Sequence, residues 1–407
     1  MIKLEQLINE LCPNGVEYRR LENCCEILDN KRKPVTKSAR EAGKYPYYGA
    51  NGIQDYVSNY IFDGTFILVG EDGSVVTEMG TPIVTWATGK IWVNNHAHII
   101  SEINGVLLRY LFHYLQTVPV KHLIHGNIPK LTGGDFRALK IAVPPLPIQE
   151  EIVRILDKFT ELTAELTAEL TARKQQYEYY KDKLLTFEYD SVGWCELNDV
   201  IISLNTGLNP RKFFRLNTED AINYYVTIRE IHGGRIVPTD KTDRINDEAL
   251  ALCNNRSNLE IGDVLFSGTG TIGETAVIVE YPQNWNIKEG VYAIKPNKKR
   301  ISPKFLRYLL TATYIKTAYM KKVAGGTVKS IPMGELRKLE IPIPYPEDKE
   351  KSLAEQQRIV DILDRFDRLC NDISEGLPAE IEARQKQYEY YRDKLLTFKK
   401  KEAAENE

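Results

Sequence analysis

The chain has 407 residues, of which 43% are hydrophobic and 27% charged, with a formal net charge of −2. This composition is typical of a soluble protein with two or three domains, and it excludes a uniformly basic surface, so any basic surface must be local. No apolar run approaches the roughly 18 residues that a membrane span needs. The six cysteines lack CxxC spacing, and the opening residues predict an amphipathic helix instead of a secretory leader. We therefore expect a cytoplasmic protein with reduced thiols.

Residues 1–147 predict a first globular unit. After the opening helix MIKLEQLINEL, short runs rich in aromatic and β-branched residues alternate with turn residues, which is typical of strands. The strand-like runs are YPYYGANGI, FILVGEDG, PIVTWATGKIWV and HAHII. A helix is predicted over 105–115, and the prolines of IAVPPLPIQEE end the unit just before another helix.

Residues 149–187 contain no proline or glycine, and their apolar residues recur at steps of three and four. This spacing predicts one long helix with a coiled-coil-like apolar stripe, roughly 58 Å long. Inside it the sequence TAEL occurs twice, at 163–166 and 167–170. We assign 148–187 to a central helical region.

The second half of the chain repeats the first. Residues 188–350 predict a second globular unit that begins with a strand over 197–204, and 351–398 predict a second helical region, broken where EGLP (375–378) restarts the helix. The segment ARKQQYEYYKDKLLTF (172–187) returns as ARQKQYEYYRDKLLTF (383–398), with three substitutions in 16 positions. Residues 399–407 form a charged tail that we expect to be frayed.

The duplication predicts the fold class. We expect an α+β protein with two pseudo-symmetric globular α/β units. Two long helices with similar apolar stripes bury those stripes against each other most simply as an antiparallel pair, which would form a coiled-coil spacer between the units.

Motifs for catalysis are missing from the sequence. The GxGxxG match at 268–273 is followed by strand-like ETAVIVEY, so it predicts a strand–turn–strand and not a dinucleotide site. There is no P-loop, no Asn/Asp-Pro-Pro-Tyr/Phe sequence and no Gly-x-Ser-x-Gly elbow. The pairs His96/His98 and His122/His125 lack a matching second pair of ligands, so they favour strand or loop histidines over zinc.

Two acid-poor stretches occupy equivalent places in the two copies. Residues 290–334 contain no acid and ten basic residues, and 79–134 contain a single acid, Glu102, with four basic residues and five histidines. Solvated faces normally mix charges, so these stretches favour surfaces that face a polyanion.

We predict DNA contacts at basic and amide side chains, because arginine and asparagine pair with guanine and adenine edges in the major groove. Asn-Gly and Asn-Pro are equally ordinary turn sequences, which leaves the asparagines open. The candidates in the first unit are Lys31, Arg32, Lys33, Asn51, Lys90, Asn94, Asn95, His96, Lys121, His125 and Lys130. The candidates in the second unit are Asn209, Arg211, Lys212, Arg229, Arg235, Lys288, Lys321, Lys322 and Lys329.

The duplicated YEYYxDKLLTF ends, QEEIVxILDKF, the TAEL repeats and the VPPLPxQE junction make the chain resemble the specificity subunit of type I restriction–modification systems, in its TAEL-bearing subgroup. LCPNGVEY and the GEDG and NNHAH stretches add to the resemblance. It implies two target recognition domains, 1–147 and 188–350, that each read one half of a bipartite duplex DNA target. It also implies that the chain is not an enzyme.

The same resemblance assigns the helical regions to a spacer and to docking of two methyltransferase subunits, which also connect the chain to motor–nuclease subunits. The chain itself would hold no cofactor, since S-adenosylmethionine, ATP and Mg²⁺ belong to those partners. The docking candidates are the repeated side chains Tyr177, Tyr180, Lys183, Tyr388, Tyr391 and Lys394.

A physical meaning for the TAEL repeats follows from helix geometry. Four residues lengthen a helix by about 6 Å and turn it by about 400°, while one base pair advances about 3.4 Å and turns roughly 34–36°. We therefore expect the repeat number, marked by Leu162, Leu166 and Leu170, to set the gap between half-sites. The alternative is that TAEL is simply good helix-forming sequence. The alternative function is a duplicated protein–protein adaptor on a helical strut.

Overall fold

The computed structural model describes residues 2–73, 75–188, 192–372 and 374–401, apart from the side chains of Ile2, Arg211 and Lys212. The chain divides into two compact units. Unit 1 comprises Met1–Glu165 with Ile381–Glu407, and unit 2 comprises Leu166–Glu380. Each unit therefore takes its long-helix residues from both copies of the sequence repeat.

The α-helices are distributed over the whole chain. In chain order they are α1 (Ile2–Leu11), α2 (Leu108–Leu115), α3 (Gly133–Ala138), α4 (Leu146–Leu185), α5 (Leu197–Val200), α6 (Pro210–Phe213), α7 (Asp247–Ser257), α8 (Pro303–Thr311), α9 (Thr313–Met320), α10 (Met333–Arg337), α11 (Lys349–Asn371) and α12 (Leu377–Leu395). Among these helices none is long and apolar enough to cross a membrane.

The strands are short and fall in the globular part of each unit. In unit 1 they are β1 (Glu17–Arg20), β2 (Glu26–Ile27), β3 (Ala42–Gly49), β4 (Gly52–Val57), β5 (Phe62–Gly70), β6 (Val84–Val93), β7 (Ala97–Ser101) and β8 (Lys140–Val143). In unit 2 they are β9 (Val192–Glu196), β10 (Ile201–Thr206), β11 (Asn223–Val226), β12 (Ile231–His232), β13 (Arg235–Ile236), β14 (Arg244–Ile245), β15 (Val264–Ser267), β16 (Thr275–Val277), β17 (Trp285–Ile287), β18 (Val291–Pro296) and β19 (Glu340–Pro344).

The two units share a sheet framework. Unit 1 has a sheet in the order β2-β7-β5-β6-β3-β4, and unit 2 has a sheet in the order β10-β18-β15-β16. In sheet order, β2, β7, β5 and β6 of unit 1 correspond to β10, β18, β15 and β16 of unit 2. In both units, neighbouring strands of this set pair antiparallel. A second antiparallel pair, β1 with β8 and β9 with β19, also recurs.

The units differ in what lies between the first and third strands of this framework. In unit 1, residues 28–61 supply the β3–β4 hairpin, which joins the edge of the sheet through a parallel pair with β6. In unit 2, residues 207–263 supply α6, α7 and the strands β11 and β14. These two strands form a separate sheet with β17, which lies outside the insert, in the order β14-β11-β17. The duplication therefore conserves a framework and replaces an insert.

Each unit has its own core, and each core contains one copy of the repeated helix end. Tyr388, Leu395 and Leu396 pack with the core of unit 1, beside Ile152 and Leu156 of α4. Residues Tyr177 and Leu185 pack in the same way with the core of unit 2, which also contains Ile359 and Leu363 of α11. The apolar stripe of a long helix is thus buried against the framework and the partner helix within its unit.

Most predicted elements are confirmed. The long helix runs unbroken as α4, and the second helical region is interrupted between α11 and α12, where Gly376 lies just before α12 and Pro378 is in its first turn. GxGxxG at 268–273 is the turn between β15 and β16, as predicted.

Three predictions need correction. The expected strand over 197–204 begins as helix α5, because Glu196 and Asp199 form a reciprocal capping box that favours a helical turn. Helix α7 was not anticipated, although Asn246 caps it by accepting a hydrogen bond from the Ala249 N–H. The tail is paired at its start, since the Lys401 N–H donates to the Val16 carbonyl at 3.0 Å; residues 402–407 lie outside the described part of the chain.

Candidate nucleic-acid interface

In unit 1 the acid-poor stretch ends in loop 125–130, which folds back onto the turn after β5. The Gly73 N–H donates to the Pro129 carbonyl at 2.9 Å, and the Leu131 N–H donates to the Glu71 carbonyl at 2.8 Å. Backbone hydrogen bonds on both sides of the turn therefore fix the position of this loop.

Unit 2 repeats this arrangement with loop 324–330 and the turn after β15. The Gly270 N–H donates to the Lys329 carbonyl at 2.9 Å, and the Ile331 N–H donates to the Gly268 carbonyl at 2.9 Å. The two acid-poor stretches that the sequence singled out thus end in structurally equivalent loops.

Arg32 lies at the base of the same turn in unit 1 and is directed inward. Its guanidinium donates to Glu71 Oε2 at 2.6 Å, to the Ala97 carbonyl at 2.7 Å and to the Asp29 carbonyl at 2.9 Å. Only 12% of its side chain is exposed. Arg32 therefore holds loops together, whereas its predicted neighbours Lys31 and Lys33 are exposed.

Around Arg32 the acids form a neutralised cluster. Burial alone would raise the pKa of the Asp29 and Glu71 carboxyls, but hydrogen bonds from His98 to Asp29 and from Arg32 to Glu71 hold both below their ordinary values. Lys130 adds a third contact, 3.2 Å from Glu71 Oε1. Atoms of Asp29, Glu71 and His98 lie close enough to bind a metal. The carboxylates already accept from cations and N–H groups, so the cluster is satisfied without one.

The predicted asparagines divide into buried and exposed residues. Asn94 is buried and structural, since its Oδ1 accepts from the His96 N–H at 2.8 Å and its Nδ2 donates to Gln54 at 3.3 Å. His96 itself contacts Asp72 through Nδ1. Asn95 and Asn51 are exposed, and Asn51 stands at the tip of the β3–β4 hairpin.

The remaining basic candidates of unit 1 are exposed. Lys90 lies over the ring of Tyr60, 4.7 Å from its centroid. Lys121 packs beside Gly80, whose carbonyl accepts from the Lys121 N–H at 3.2 Å. His125 and Lys130 form a bridge that closes loop 125–130. Lys121, His125 and Lys130 are thus on one loop region, and Lys90 is on β6.

In unit 2 the fold brings Arg229 and Lys288 together. Both line a cleft of about 290 Å³ with Thr269, the central residue of the turn that holds loop 324–330. Asn209 donates to Glu289, another lining residue, at 2.6 Å. These candidates, which are far apart in sequence, therefore surround the base of the same loop.

Other candidates of unit 2 are placed elsewhere. Arg235 pairs with Asp372 at 3.0 Å. Lys322 donates to the Lys338 carbonyl at 3.0 Å, so it caps the C-terminal end of α10. Lys321 and Lys329 are exposed. The side chains of Arg211 and Lys212 lie outside the described part of the structure.

The basic residues of the acid-poor stretch 290–334 do not all remain free of acids in the folded structure. Lys295 pairs with Glu260 and Asp263, and Lys304 pairs with Asp364 at 2.5 Å. Acids from outside the stretch therefore neutralise much of its first half. Within the described residues, Lys316, Lys321 and Lys329 of the second half form no ion pair.

The repeated helix end presents the same side chains in both units. Tyr177 and Tyr388 are buried, so their side chains contact the chain itself and are not available for docking. Tyr180 stacks on Phe366 of α11 in unit 2, with ring centroids 5.7 Å apart. In unit 1 the equivalent Tyr391 stacks on Phe159 of α4 at 5.3 Å. The side chains of these four tyrosines are therefore wholly or partly packed inside their own units.

Sequence reasoning missed the tyrosine that remains outside. Tyr179 and its equivalent Tyr390 are each 61% exposed. The Nζ atoms of Lys183 and Lys394 lie 5.8 and 6.0 Å from the respective ring centroids. The YEYY repeat contained the signal, but only the packing reveals which of its tyrosines faces outward.

A family model of the type I restriction modification DNA specificity domain matches residues 13–173 and again residues 192–383. The chain is 36% identical over 394 residues to a Haemophilus influenzae protein named as a putative type I restriction enzyme specificity subunit, covering 94% of this chain and 96% of that protein. It is 34% identical over 313 residues to the EcoR124I/EcoR124II specificity subunit of Escherichia coli, covering 74% of each.

The fold agrees with these matches. A type I restriction-modification S subunit from M. genitalium superposes with a TM-score of 0.57 at 14% identity, covering 94% of this chain and 97% of that chain. A chain from a type I R-M system structure gives 0.56 at 15% identity, covering 94% and 98%.

Two matched domains in one chain define a DNA-specificity protein. The chain belongs to the family of type I restriction–modification specificity subunits. It is thus a specificity component of a restriction–modification system and not one of its enzymes.

Proposed function

We propose that this chain recognises a bipartite sequence in duplex DNA, with unit 1 reading one half-site and unit 2 the other. The observation that carries the proposal is the combination of a shared framework with unlike inserts, 28–61 in unit 1 and 207–263 in unit 2. Two copies that read the same sequence would have no reason to differ there, whereas two readers of different half-sites need different surfaces.

Charge supports DNA over the alternative of a protein–protein adaptor. The exposed lysines of the two loop regions offer local positive charge on a chain with a net charge of −2. In the cleft of unit 2, Lys288 lies beside Glu289, and Arg229 is paired with Asp243 at 3.1 Å. Counterion release makes phosphate contacts salt-dependent, so binding of the purified chain alone to duplex DNA should weaken steeply with salt. An adaptor would show no such slope.

Docking of two identical methyltransferase subunits is supported by the identical Tyr–Lys pairs, Tyr179 with Lys183 and Tyr390 with Lys394. Tyrosine is enriched among the residues that supply most of the binding energy at protein interfaces. The partners would supply S-adenosylmethionine, and the motor–nuclease subunits ATP and Mg²⁺. We expect Tyr179→Ala with Lys183→Ala to remove one methyltransferase subunit from the complex in mass measurements. The same change at Tyr390 and Lys394 should remove the other.

The long helices are proposed as the antiparallel coiled-coil spacer. In unit 2, α4 packs on α11 through Tyr177 and Tyr180, which both stack on Phe366. In unit 1, α4 packs on α12 through Phe159 and Tyr391. The TAEL repeats at 163–170 lie inside the unbroken helix α4.

Deleting residues 167–170 tests the spacer. The helix would shorten by about 6 Å, so the complex should methylate sites with a shorter gap and unchanged half-sites. Mapping methylated adenines in DNA treated with the complete methyltransferase complex measures both quantities at once. An unchanged gap, or altered half-sites, contradicts the spacer assignment. If the wild-type complex methylates without any bipartite preference, the proposed function itself is wrong.

A further inference from the structure

In each unit, the loop that is hydrogen-bonded to the turn of the framework exposes one aliphatic side chain. Ile128 of loop 125–130 is 70% exposed, and Val328 of loop 324–330 is 62% exposed. Single exposed aliphatic residues are ordinary on protein surfaces, so exposure by itself assigns no role. The positions of these two residues, however, are equivalent in detail.

The equivalence rests on three consecutive backbone contacts in each unit. Residues 129–131 bind the turn 71–73 through two hydrogen bonds and a bridge between Lys130 and Asp72. Residues 329–331 bind the turn 268–270 in the same register. Ile128 and Val328 each stand immediately before this bound triplet. The inserts of the two copies diverged, yet both copies have an aliphatic residue at this outward position of the loop.

The loops are held firmly enough to position that side chain. Leu131 and Ile331, the last residues of the triplets 129–131 and 329–331, are fully buried. Gly126 and Gly325 adopt φ values of +90° and +113°, which other residues rarely adopt. A Cβ at Gly325 would lie 2.5 Å from the Val328 carbonyl oxygen, so the turn depends on glycine. The exposed side chain therefore projects from a pre-organised support.

The charges around Ile128 and Val328, at the tips of the two loops, are compatible with binding of a polyanion. Loops 125–130 and 324–330 contain no acid. In unit 2, Lys321 and Lys329 are exposed and form no ion pair among the described residues. In unit 1, two acids lie in the turn beneath the loop: Glu71 is bound by Arg32 and Lys130, and Asp72 contacts His96 Nδ1. Both acids therefore already have partners within the unit.

One aliphatic side chain among cations is too small a patch for a stable protein interface, which needs about 1,000 Å² of buried surface. It fits an apolar group of similar size within a polyanion. Duplex DNA offers one such group at a sequence-dependent position, the 5-methyl group of thymine in the major groove.

We propose that Ile128 and Val328 are specificity-determining residues, each contacting a thymine methyl group in the half-site read by its own unit. This inference rests on the proposed DNA-reading function. It assigns base discrimination to the loop tips, and backbone contacts to lysines such as Lys121 and Lys329.

The test uses Ile128→Ser and Val328→Ser in the complete methyltransferase complex. Both side chains are exposed, so the variants should fold as the wild type does. Methylation is measured on a library of duplexes in which every half-site position is varied. We expect Ile128→Ser to reduce the preference for thymine at one position of one half-site about tenfold, and Val328→Ser to do so in the other half-site. Matched controls are Leu11→Ser and Ile202→Ser, which are exposed aliphatic residues outside the loops.

Half-site preferences that stay unchanged in both variants, while the wild-type complex still methylates a bipartite site, would overturn the assignment. A loss of preference equal to that of the controls, or spread evenly over all positions, would overturn it too. A wild-type complex without any bipartite preference refutes the proposed function instead, so the two failures are distinguishable. Substituting uracil for the contacted thymine gives an independent readout: it removes only the methyl group and should reproduce the serine variant's loss on the wild-type complex.

Discussion

The two units supply different donors to the same partly exposed carboxylate. In unit 1, the buried His113 lies with Nε2 2.8 Å from Asp157 and Nδ1 2.9 Å from the Tyr388 hydroxyl. In unit 2, the hydroxyl of Tyr308 donates to Asp364, the equivalent of Asp157, at 2.7 Å. The carboxylate on the long helix is kept, while the residue that donates to it is not.

The substitution in unit 2 is accompanied by other changes. Thr311 stands at the position of His113 and donates to its own helix, to the Tyr308 carbonyl at 2.8 Å. Tyr110, the equivalent of Tyr308, donates to the Ala142 carbonyl at 2.8 Å. A framework can therefore be conserved through geometry while its polar contacts are exchanged, because a partly buried carboxylate requires a donor and not one particular residue.

The largest effect on stability is expected at the core position shared by α3 and α10. Phe136 and Leu336 are equivalent and fully buried, but Phe136 also stacks on His98 with ring centroids 4.2 Å apart. Phe136→Ala should lower the free energy of unfolding of unit 1 by about 3–5 kcal/mol, and Leu336→Ala that of unit 2 by about 2–5 kcal/mol. Urea unfolding checks both. An equal or smaller loss for Phe136→Ala would argue against the contribution of the stack.

A smaller effect separates the two equivalent tyrosines. Tyr308→Phe removes a hydrogen bond to a carboxylate and should cost about 1.5–3 kcal/mol, whereas Tyr110→Phe removes one to a neutral carbonyl and should cost about 0.5–1.5 kcal/mol. Lys304 remains beside Asp364 in the first variant, which keeps its cost toward the lower bound. Urea unfolding of both variants measures the difference, and the reverse order would contradict the comparison.

The smallest expected effect is a pH dependence of the free energy of unfolding, and it is confined to unit 1. Burial, followed by the charge of Arg109, lowers the pKa of the His113 imidazole despite its hydrogen bond to Asp157; the Arg392 charge adds to the lowering. The unfolded state therefore binds the proton more readily. The free energy of unfolding of unit 1 should fall as the pH drops below about 6.5, by at most about 1.4 kcal/mol per pH unit, until the folded pKa is reached.

This pH dependence can be assigned to one residue. A Trp194→Phe/Trp285→Phe background leaves Trp86 and Trp92 as fluorescent reporters of unit 1. In urea unfolding at pH values of about 7.5 and 6.0, adding His113→Gln should flatten the pH dependence of the free energy of unfolding by less than one proton. The control is the reciprocal Trp86→Phe/Trp92→Phe background, in which Trp194 and Trp285 report unit 2, which has Thr311 at this position. An unchanged slope in the His113→Gln variant would mean that other groups carry it.

The sequence alone predicts the elements of the framework better than it predicts the surface. Periodicity predicted α4, the break before α12 and the strand–turn–strand at 268–273, because these depend on local spacing, proline and glycine. The duplication predicted two like units, and their shared strand order agrees with it. The insert of unit 2 was not predictable to the same degree, because α7 was missed. In the framework, α5 replaced the start of a predicted strand because a capping box outweighed the apolar pattern.

The candidate interface shows the same limit more strongly. Arg32 and Asn94 have the residue types of DNA readers, but the fold uses them to satisfy buried carboxylates and backbone groups. Lys304 belongs to an acid-free stretch of sequence and yet pairs with an acid of α11. Ile128 and Val328 attract no attention in the sequence and stand out only through their exposure.

Repetition in the sequence is enough to show that the chain is duplicated, and periods of three and four show that long helices join its halves, because both are local properties. From the repeated helix ends the sequence predicts one task performed twice. It takes the packing to show that each repeated end lies in a unit with the other copy's framework, leaving Tyr179 and Tyr390 outside. The reason is physical: whether a side chain is buried, paired or free depends on neighbours that lie far away in sequence.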